Sequence, residues 1–222
     1  MNYGQVKNQV LQLLNQYSVA GDTVAPSYNN QQDYINRMPA LVNDAVLEIA
    51  TTARKIPAQL VLTTAVEEGE EPSVAWEEYG DRIRFTMPED FYQFKTGDTF
   101  VQTNDGHVFH TNVYSMQGRK YLLIPKREFD EGRTYEITYY RYPTLLAAKP
   151  ADTDELDNLV ETHYAVPFYV AAFLVMHDDA FLYSAFYNKY EDKLAKMGAG
   201  VSVELGPAGD AYSFNAGESY ET

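Results

Sequence analysis

The spacing of apolar residues changes twice along this chain, and that change restricts the fold more than any other feature. Apolar residues follow the period of an α-helix up to about residue 57, alternate as in β-strands from 58 to 142, and return to helical spacing from 143. The two periods place apolar side chains on one stripe of a helix or on one face of a strand. The chain is therefore predicted to be α+β: an α-helical bundle with an inserted antiparallel β region and an extended C-terminal tail.

Two helices are predicted before the β region. The first follows the apolar stripe from Tyr3 to Tyr17, and the second runs from about Gln31 to Arg54. Pro39 lies inside the second stripe, where it removes a backbone donor and crowds the preceding turn. Because the stripe continues past the proline, one kinked helix is favoured over two separate helices.

Two more helices are predicted after the β region. The stripe of the third helix consists of Val160, Tyr164, Phe168, Ala171 and Val175. The apolar face of the fourth consists of Leu182, Phe186, Tyr190 and Leu194. Asp178 or Asp179 is predicted to be the N-cap of the fourth helix, because a carboxylate there accepts hydrogen bonds from free backbone N–H groups.

Seven strand-like segments with turn residues between them make up the β region. They are Gln59–Ala65, Ser73–Glu78, Arg82–Thr86, Thr99–Thr103, Val108–Tyr114, Arg119–Ile124 and Thr134–Tyr142. The short turns favour antiparallel hairpins and a meander. In the last segment one set of side chains is predicted to share a face: Tyr135, Ile137, Tyr139 and Arg141.

These patterns divide the chain into three parts. Residues 1–57 and 143–197 are predicted to form one helical domain, residues 58–142 an inserted β domain, and residues 198–222 a C-terminal tail. The tail contains five glycines, four acidic residues and neither Lys nor Arg, so it should not fold alone. Its aromatic residues are interpreted as contacts with a partner, since the tail has no core of its own: Tyr212, Phe214 and Tyr220.

The charge of the chain excludes several classes of partner. There are 17 Lys and Arg against 32 Asp and Glu, a formal net charge of −15. Binding to phosphate backbones and to anionic membrane surfaces depends on cationic side chains, so neither is expected. The longest apolar run, Tyr164–Met176, contains Pro167 and is too short to cross a bilayer. With no basic and apolar leader at its start, the chain is expected to be a soluble intracellular protein, or one assembled inside a cell.

No motif for catalysis, metal binding or cofactor binding stands out. Cysteine is absent, which excludes thiolate chemistry, and the four histidines are not spaced as metal ligands. Nucleotide-binding loops and nucleophile elbows are also missing. Two carboxylates suffice for glycoside hydrolysis, so an enzyme using acids such as Glu89 or Glu191 stays open as an alternative. The prediction is a non-enzymatic protein with no cofactor.

The order of three stretches resembles the head-to-tail adaptor, or connector, proteins of tailed bacteriophages, the group that includes tail tubular protein A. The stretches are Tyr34–Ala45, Met87–Tyr92, and Tyr139–Pro143 followed by Val170–Ala172 and Phe186–Glu191. The second is similar to the family's Leu-Pro-x-Asp-Phe signature, with Met87 in place of leucine. In this β-domain signature, Pro88 is predicted to end a strand, Asp90 to hold a turn and Phe91 to fill a core.

The resemblance implies a structural virion protein that forms a ring, a dodecamer, at the neck between head and tail. It implies docking of the C-terminal tail on the portal protein through Tyr212, Phe214 and Tyr220, and contact with tail or nozzle proteins on the other side. DNA would pass through the channel without specific binding, and the virion would assemble in the host cytoplasm. The alternatives are a carboxylate-dependent peptidoglycan hydrolase or glycan-binding virion protein, and a soluble regulatory binding module.

Overall fold

A computed structural model describes most of the chain between residues 1 and 198. The described residues are 1–14, 30–63, 76–94, 100–103, 106–110, 112–116, 119–130 and 133–198. The part described combines α-helices with two antiparallel sheets, which confirms the predicted α+β class. The predicted C-terminal tail and its three aromatic residues lie outside the described residues.

Four α-helices occur in the described ranges. They are α1 (Tyr3–Leu13), α2 (Asn30–Glu48), α3 (Val166–Val175) and α4 (Ala180–Gly198). A π-helical turn, Ile49–Ala53, extends α2, and a 3-10 turn, Val160–Thr162, precedes α3. Pro39 lies within α2, so the prediction of one helix rather than two is confirmed.

Side chains cap the first and last helices. Asn2 Oδ1 accepts a hydrogen bond from the backbone N–H of Gln5 at 2.9 Å, and Gln5 Oε1 accepts one from Asn2 N at 3.0 Å, which is a capping box. At α4, Asp179 Oδ1 accepts from the N–H groups of Phe181 and Leu182, both at 2.9 Å. Asp179 is therefore the N-cap among the two predicted candidates.

The prediction is wrong for one residue of the inner face of α4. Leu182 is exposed to solvent, whereas Tyr190 is buried. Tyr183, one position further along, takes the inward position because its ring packs edge-on against Phe173 at 5.8 Å. The aromatic contact thus rotates Leu182 out of the interface between α3 and α4.

Nine strands form the two sheets of the described part. They are β1 (Ile56–Thr63), β2 (Trp76–Tyr79), β3 (Arg82–Thr86), β4 (Phe91–Phe94), β5 (Phe100–Thr103), β6 (Val108–His110), β7 (Asn112–Met116), β8 (Arg119–Pro125) and β9 (Thr134–Arg141). The first sheet has the order β1-β9-β5-β6, with β4 also paired to β9, and the second has the order β2-β3-β8-β7. All pairs are antiparallel, as predicted.

The predicted meander is wrong, and so are two strand assignments. Hairpins β2-β3, β5-β6 and β7-β8 are present, but β1 pairs with β9 and β3 pairs with β8 across long stretches of sequence. The predicted strand Val108–Tyr114 is two strands in different sheets, because β6 pairs with β5 and β7 pairs with β8. Strand β4, which follows the Pro88 turn, was not predicted.

Buried hydrophobic residues form two clusters. One joins α1, α2, α3 and α4, and its members include Val6, Met38, Val42, Ile49, Val170 and Tyr190. The other lies among the strands, and its members include Leu62, Phe85, Val101, Leu122, Tyr135 and Ile137. Of the four side chains predicted to share a face of β9, three are buried in the second cluster: Tyr135, Ile137 and Tyr139. The fourth, Arg141, lies at the end of the strand and pairs with Asp157.

Adjacent residues of β1 provide a test of the cluster among the strands. Leu62 is buried there, whereas Val61 is exposed on the other face. Leu62→Ala is expected to lower the free energy of unfolding by about 2–5 kcal/mol, because it removes buried methyl groups and leaves a cavity. Val61→Ala is the matched control and should change it by less than about 0.5 kcal/mol. Urea denaturation measures both, and equal losses would contradict this account of the core.

Candidate interaction site at the junction of sheets and helices

The signature segment forms a tight turn between β3 and β4. The strand preceding it ends at Thr86, and the backbone N–H of Phe91 donates to the carbonyl of Pro88 at 3.0 Å. Phe91 is buried in the cluster among the strands, where its ring stacks on Tyr139 with centroids 5.5 Å apart. The local roles predicted for Pro88 and Phe91 therefore match the structure.

Asp90 joins this turn to the end of β9. Its backbone carbonyl accepts a hydrogen bond from the N–H of Tyr142 at 2.7 Å, and its carboxylate accepts one from the Tyr139 hydroxyl at 3.2 Å. Burial raises the pKa of Tyr139 to about 12, and the nearby charge of Asp90 adds to the effect. The hydroxyl therefore stays protonated at physiological pH and keeps donating to Asp90.

Lys120 on β8 fastens the same segment to the second sheet. Its Nζ donates to the carbonyls of Phe91 and Tyr92, both at 3.0 Å, and lies over the rings of Phe91 at 5.1 Å and Tyr142 at 5.7 Å. Burial lowers the pKa of Lys120, since desolvation disfavours the ammonium ion. The cation is thus held by carbonyl oxygens and aromatic faces at the boundary between the sheets.

A bidentate ion pair connects the end of β9 to the segment that leads back to the helices. Arg141 Nη1 and Nη2 donate to the two carboxylate oxygens of Asp157, each at 2.6 Å. Asp157 Oδ2 also accepts from the backbone N–H of Thr144 at 2.7 Å. These hydrogen bonds from Arg141 and Thr144 hold the pKa of Asp157 well below its usual range.

Two further contacts join the π-helical turn to its surroundings. The Tyr92 hydroxyl donates to the carbonyl of Thr51 at 3.4 Å, and the Tyr92 ring packs against Tyr142 with centroids 5.0 Å apart. Arg54, which directly follows the π-helical turn, donates from Nη2 to the carbonyl of Met197. A cation at the C-terminal end of α4 stabilises its free carbonyl groups, and it fixes the point at which the chain leaves the last helix.

Two tyrosines, Tyr169 and Tyr190, pack within the hydrophobic cluster of the helices. Tyr190 is buried and donates its hydroxyl to Glu48 Oε1 at 3.0 Å. Burial and the charge of Glu48 raise the pKa of both Tyr190 and Tyr169, so these hydroxyls remain neutral donors. Their rings meet edge-on with centroids 5.2 Å apart. This network satisfies a half-buried carboxylate inside the helical cluster.

The histidines and acidic residues considered for chemistry do not converge in the described part of the chain. His163 is buried between the Met1 amino group, 2.7 Å from Nδ1, and the Asn158 carbonyl, whereas His107 is exposed beside Glu128. Across the described ranges, no group of three or more His, Asp and Glu side chains is arranged to hold a metal ion. Glu89 and Glu191, both exposed, lie in the turn before β4 and in α4.

Sequence reasoning missed the residues that hold this junction together. Lys120, Arg54 and Asp157 were not singled out, because each acts on a partner far away in the sequence. A lysine within a strand of an acidic chain was the one available signal for Lys120. The predicted docking residues Tyr212, Phe214 and Tyr220 lie outside the described residues, so their role stays a prediction.

Comparison with known proteins assigns the chain to a family. The model of the SU10 adaptor protein family matches residues 1–209, nearly the whole chain, and the chain belongs to that family. This confirms its identification as a head-to-tail adaptor protein of tailed bacteriophages, located at the head–tail interface of the virion. Adaptors are structural proteins; the absence of enzymatic activity in this chain stays a prediction.

The other comparisons add little to this assignment. No curated protein matches the chain significantly. Among the solved structures that match is the neck of an empty GTA particle computed with C6 symmetry, with 13% identity over 86% of this chain and 91% of that chain. Its TM-score is 0.28, which is too low to bear on the arrangement of the elements.

None of the helices in the described ranges has both the length and the hydropathy needed to cross a bilayer.

Removal of the Lys120 ammonium group tests the connection between the two sheets. Lys120→Met keeps an unbranched side chain, one atom shorter, but leaves the carbonyls of Phe91 and Tyr92 without this donor. The free energy of unfolding is expected to fall by about 1–3 kcal/mol. Lys126→Met removes an exposed pair with Glu78 and should cost less than about 1 kcal/mol. Equal losses in urea denaturation would show that Lys120 contributes no more than a surface charge.

The ion pair between Arg141 and Asp157 should make stability depend on pH. A carboxyl whose pKa is lower in the folded state stabilises the fold at pH values above its ordinary pKa of 3.8, and this contribution is lost as the pH falls below that value. At neutral pH, Asp157→Asn is expected to lower the free energy of unfolding by about 1.5–3 kcal/mol. The difference from the wild-type chain should shrink as the pH falls below 3.8.

The exposed pair between Lys7 and Asp152 supplies the control for this measurement. Asp152→Asn also removes one carboxylate from an ion pair, but the Asp152 side chain is largely exposed. Its effect at neutral pH should stay within about 1 kcal/mol. Denaturation of the three proteins across a pH series distinguishes the pairs, and an Asp157→Asn effect that does not change with pH would contradict the assignment.

Proposed function

We propose that this adaptor is the subunit of a ring of twelve copies that docks on the portal protein and joins the capsid to the tail. The observation that carries the proposal is the match of the SU10 adaptor protein family to residues 1–209, which extends beyond α4 into the C-terminal segment. The helical part, residues 1–57 and 143–197, would build the wall of the ring. The β part, residues 58–142, would project from it towards tail or nozzle proteins.

The contacts at the junction support a defined exit for the tail, residues 198–222. Arg54 holds the carbonyl of Met197 at the end of α4, beside the first strand of the β part. The residues that follow would then leave every copy of a ring in the same direction. Extended segments of this kind bind by adding a strand to a neighbour or by seating alternate side chains in its pockets. Tyr212, Phe214 and Tyr220 would supply those side chains.

The charge of the chain agrees with a passage for DNA. With a net charge of −15, the subunit would not grip the phosphate backbone, and acidic residues facing the channel would repel it. A ring that lets DNA pass should not grip the phosphate backbone, and repulsion of this kind keeps the contacts weak. DNA would therefore pass without specific binding.

Truncation of the tail tests the docking part of the proposal. Deletion of residues 198–222 should leave the fold and its thermal unfolding unchanged, because the described core residues all precede this segment. It should abolish co-sedimentation with the cognate portal protein. Triple alanine substitution of Tyr212, Phe214 and Tyr220 should weaken that binding at least about tenfold, as expected when aromatic anchors are lost.

A matched triple variant controls for general effects on the tail. Alanine substitution of Ser213, Asn215 and Ser219 changes neighbouring residues but keeps the aromatic rings, and it should bind the portal as the wild-type chain does. Electron microscopy of the complex should show a ring of twelvefold symmetry. A truncated chain that binds the portal with unchanged affinity would contradict the docking role, and lytic activity on peptidoglycan would revive the hydrolase alternative.

A further inference from the structure

Exposed apolar side chains lie at both ends of α3. The helix itself is mostly buried, but Val160 and Tyr164 just before it are 71% and 61% exposed. Just after it, at the start of α4, Phe181 and Leu182 are 80% and 38% exposed. The ten residues of α3 separate the two groups by about 15 Å. Exposed apolar side chains that cluster are candidates for an interaction surface.

The first group lies on an acidic stretch, and we call it the bridge surface: Glu155, Val160, Glu161 and Tyr164. Residues 150–165 contain five acidic residues and neither Lys nor Arg. Asp152 pairs with Lys7 and Asp157 with Arg141, but Glu155 and Glu161 belong to none of the ion pairs found among the described residues. The bridge surface therefore combines two exposed apolar side chains with two carboxylates that are not neutralised by such pairs.

The backbone just before the bridge surface is fixed by the N-terminal end of α1. The N–H of Tyr3 donates to the carbonyl of Asp154 at 2.7 Å, and the N–H of Gly4 donates to that of Asp152 at 2.9 Å. A Cβ atom at Gly4 would lie 2.8 Å from the Cβ of Asp152, so only glycine permits this approach. A surface held in this way loses little entropy when a partner binds.

The second group continues along a largely exposed stripe of α4, which we call the α4 stripe: Phe181, Leu182, Ala185, Lys189, Lys193 and Lys196. From Leu182 onwards, the spacing of three and four residues places these side chains in one row along the helix. Lys196 pairs with Asp192 at 2.8 Å, whereas Lys189 and Lys193 are in none of the ion pairs found in the described ranges. The stripe is apolar towards Phe181 and positively charged towards the C-terminal end of α4.

We propose that the bridge surface of one copy docks on the α4 stripe of the next copy in the ring. This inference rests on the proposed function, since it supplies the contact between neighbouring subunits. Val160 and Tyr164 would meet Phe181 and Leu182 at the centre, and Glu155 and Glu161 would face Lys189 and Lys193 at the rim. A second copy is the favoured occupant because the two surfaces of the chain are complementary in charge and alike in apolar content.

Two different surfaces meet in such a contact, so the interface is heterologous. Heterologous interfaces build closed rings when the rotation between copies closes, whereas a contact of one surface with itself gives only a twofold dimer. The two surfaces lie at opposite ends of α3, so each copy would contact one neighbour through its bridge surface and the other through its α4 stripe. The contact can therefore be repeated around the ring.

Single substitutions on each surface test the contact. Val160→Asp and Phe181→Asp place a carboxylate at an exposed position, so the fold should be retained. Each is expected to lower the association constant of the full-length chain at least about tenfold in sedimentation experiments over a concentration series. Val108→Asp makes the same kind of change at a residue of β6 that is 48% exposed, and it should leave association unchanged.

Mixing the two variants is the sharper measurement. A Val160→Asp copy keeps an intact α4 stripe, and a Phe181→Asp copy keeps an intact bridge surface. Neither should form rings alone, but an equimolar mixture should form dimers joined by one intact contact. A mixture that stays monomeric, or variants that still form complete rings, would overturn the proposed contact between the bridge surface and the α4 stripe.

Charge exchange tests which acidic and basic residues meet. Glu161→Lys and Lys189→Glu should each weaken association by about three- to tenfold, because like charges then face each other. The double variant should recover most of the loss, since every contact regains opposite charges. Failure of recovery in all pairings of Glu155 and Glu161 with Lys189 and Lys193 would overturn the proposed register.

Failure of the contact between copies can be distinguished from failure of the proposed function. A wild-type chain that stays monomeric both alone and on the portal would overturn the contact between copies and the ring. Twelve copies on the portal whose assembly is unaffected by Val160→Asp and Phe181→Asp would overturn only the contact proposed here. Loss of portal binding on tail truncation would still support the docking role.

Discussion

The pairing of β1 with β9 determines where the β region joins the helices. The two strands are antiparallel over their whole length, with Ile56 opposite Arg141 at one end and Thr63 opposite Thr134 at the other. Ile56 begins β1 three positions after the π-helical turn ends, and Arg141 ends β9 before the chain returns to the helices. The pairing therefore brings the entrance and exit of the β region to neighbouring positions, and the junction contacts are built around them.

Cations at this junction hold backbone or carboxylate oxygens that would otherwise be poorly solvated. Lys120 binds two carbonyls of the signature segment, Arg54 binds the end of α4, and Arg141 binds Asp157. In a chain with 17 basic residues and 32 acidic ones, three basic residues are committed to one small region. Charge-assisted hydrogen bonds of this type are stronger than neutral ones, so they can keep two hydrophobic clusters in a defined relation.

Much of the fold could be predicted from periodicity because periodicity reports which face of an element is buried. The class, the continuity of α2 through Pro39, the Asp179 cap and the inward face of β9 all follow from local sequence. The pairing of strands could not be predicted in this way. Whether β9 pairs with β1 or with β8 depends on which distant segments share a core, and an alternating pattern is the same for either neighbour.

Only some of the residues at the junction could be predicted from the sequence. Asp90 and Phe91 could be assigned local roles because a turn and a buried aromatic side chain are local features. Lys120 and Asp157 could not be found, because their partners lie about 15 to 30 residues away and no pattern of spacing relates them. The same reason explains Leu182, whose exposure depends on which aromatic ring of α4 meets Phe173.

The adjacency of the two ends of the β region has a consequence for how such adaptors can vary. Directly paired residues of antiparallel strands have Cα atoms about 5 Å apart, so the two ends of the β region leave the helical part side by side. A segment whose ends lie this close together can be lengthened, shortened or exchanged if the junction contacts, such as that of Tyr92 with Thr51, are kept. Under the proposed function, the strands beyond the β1–β9 pair would therefore differ between adaptors that contact different tails, while the helical part stays the same.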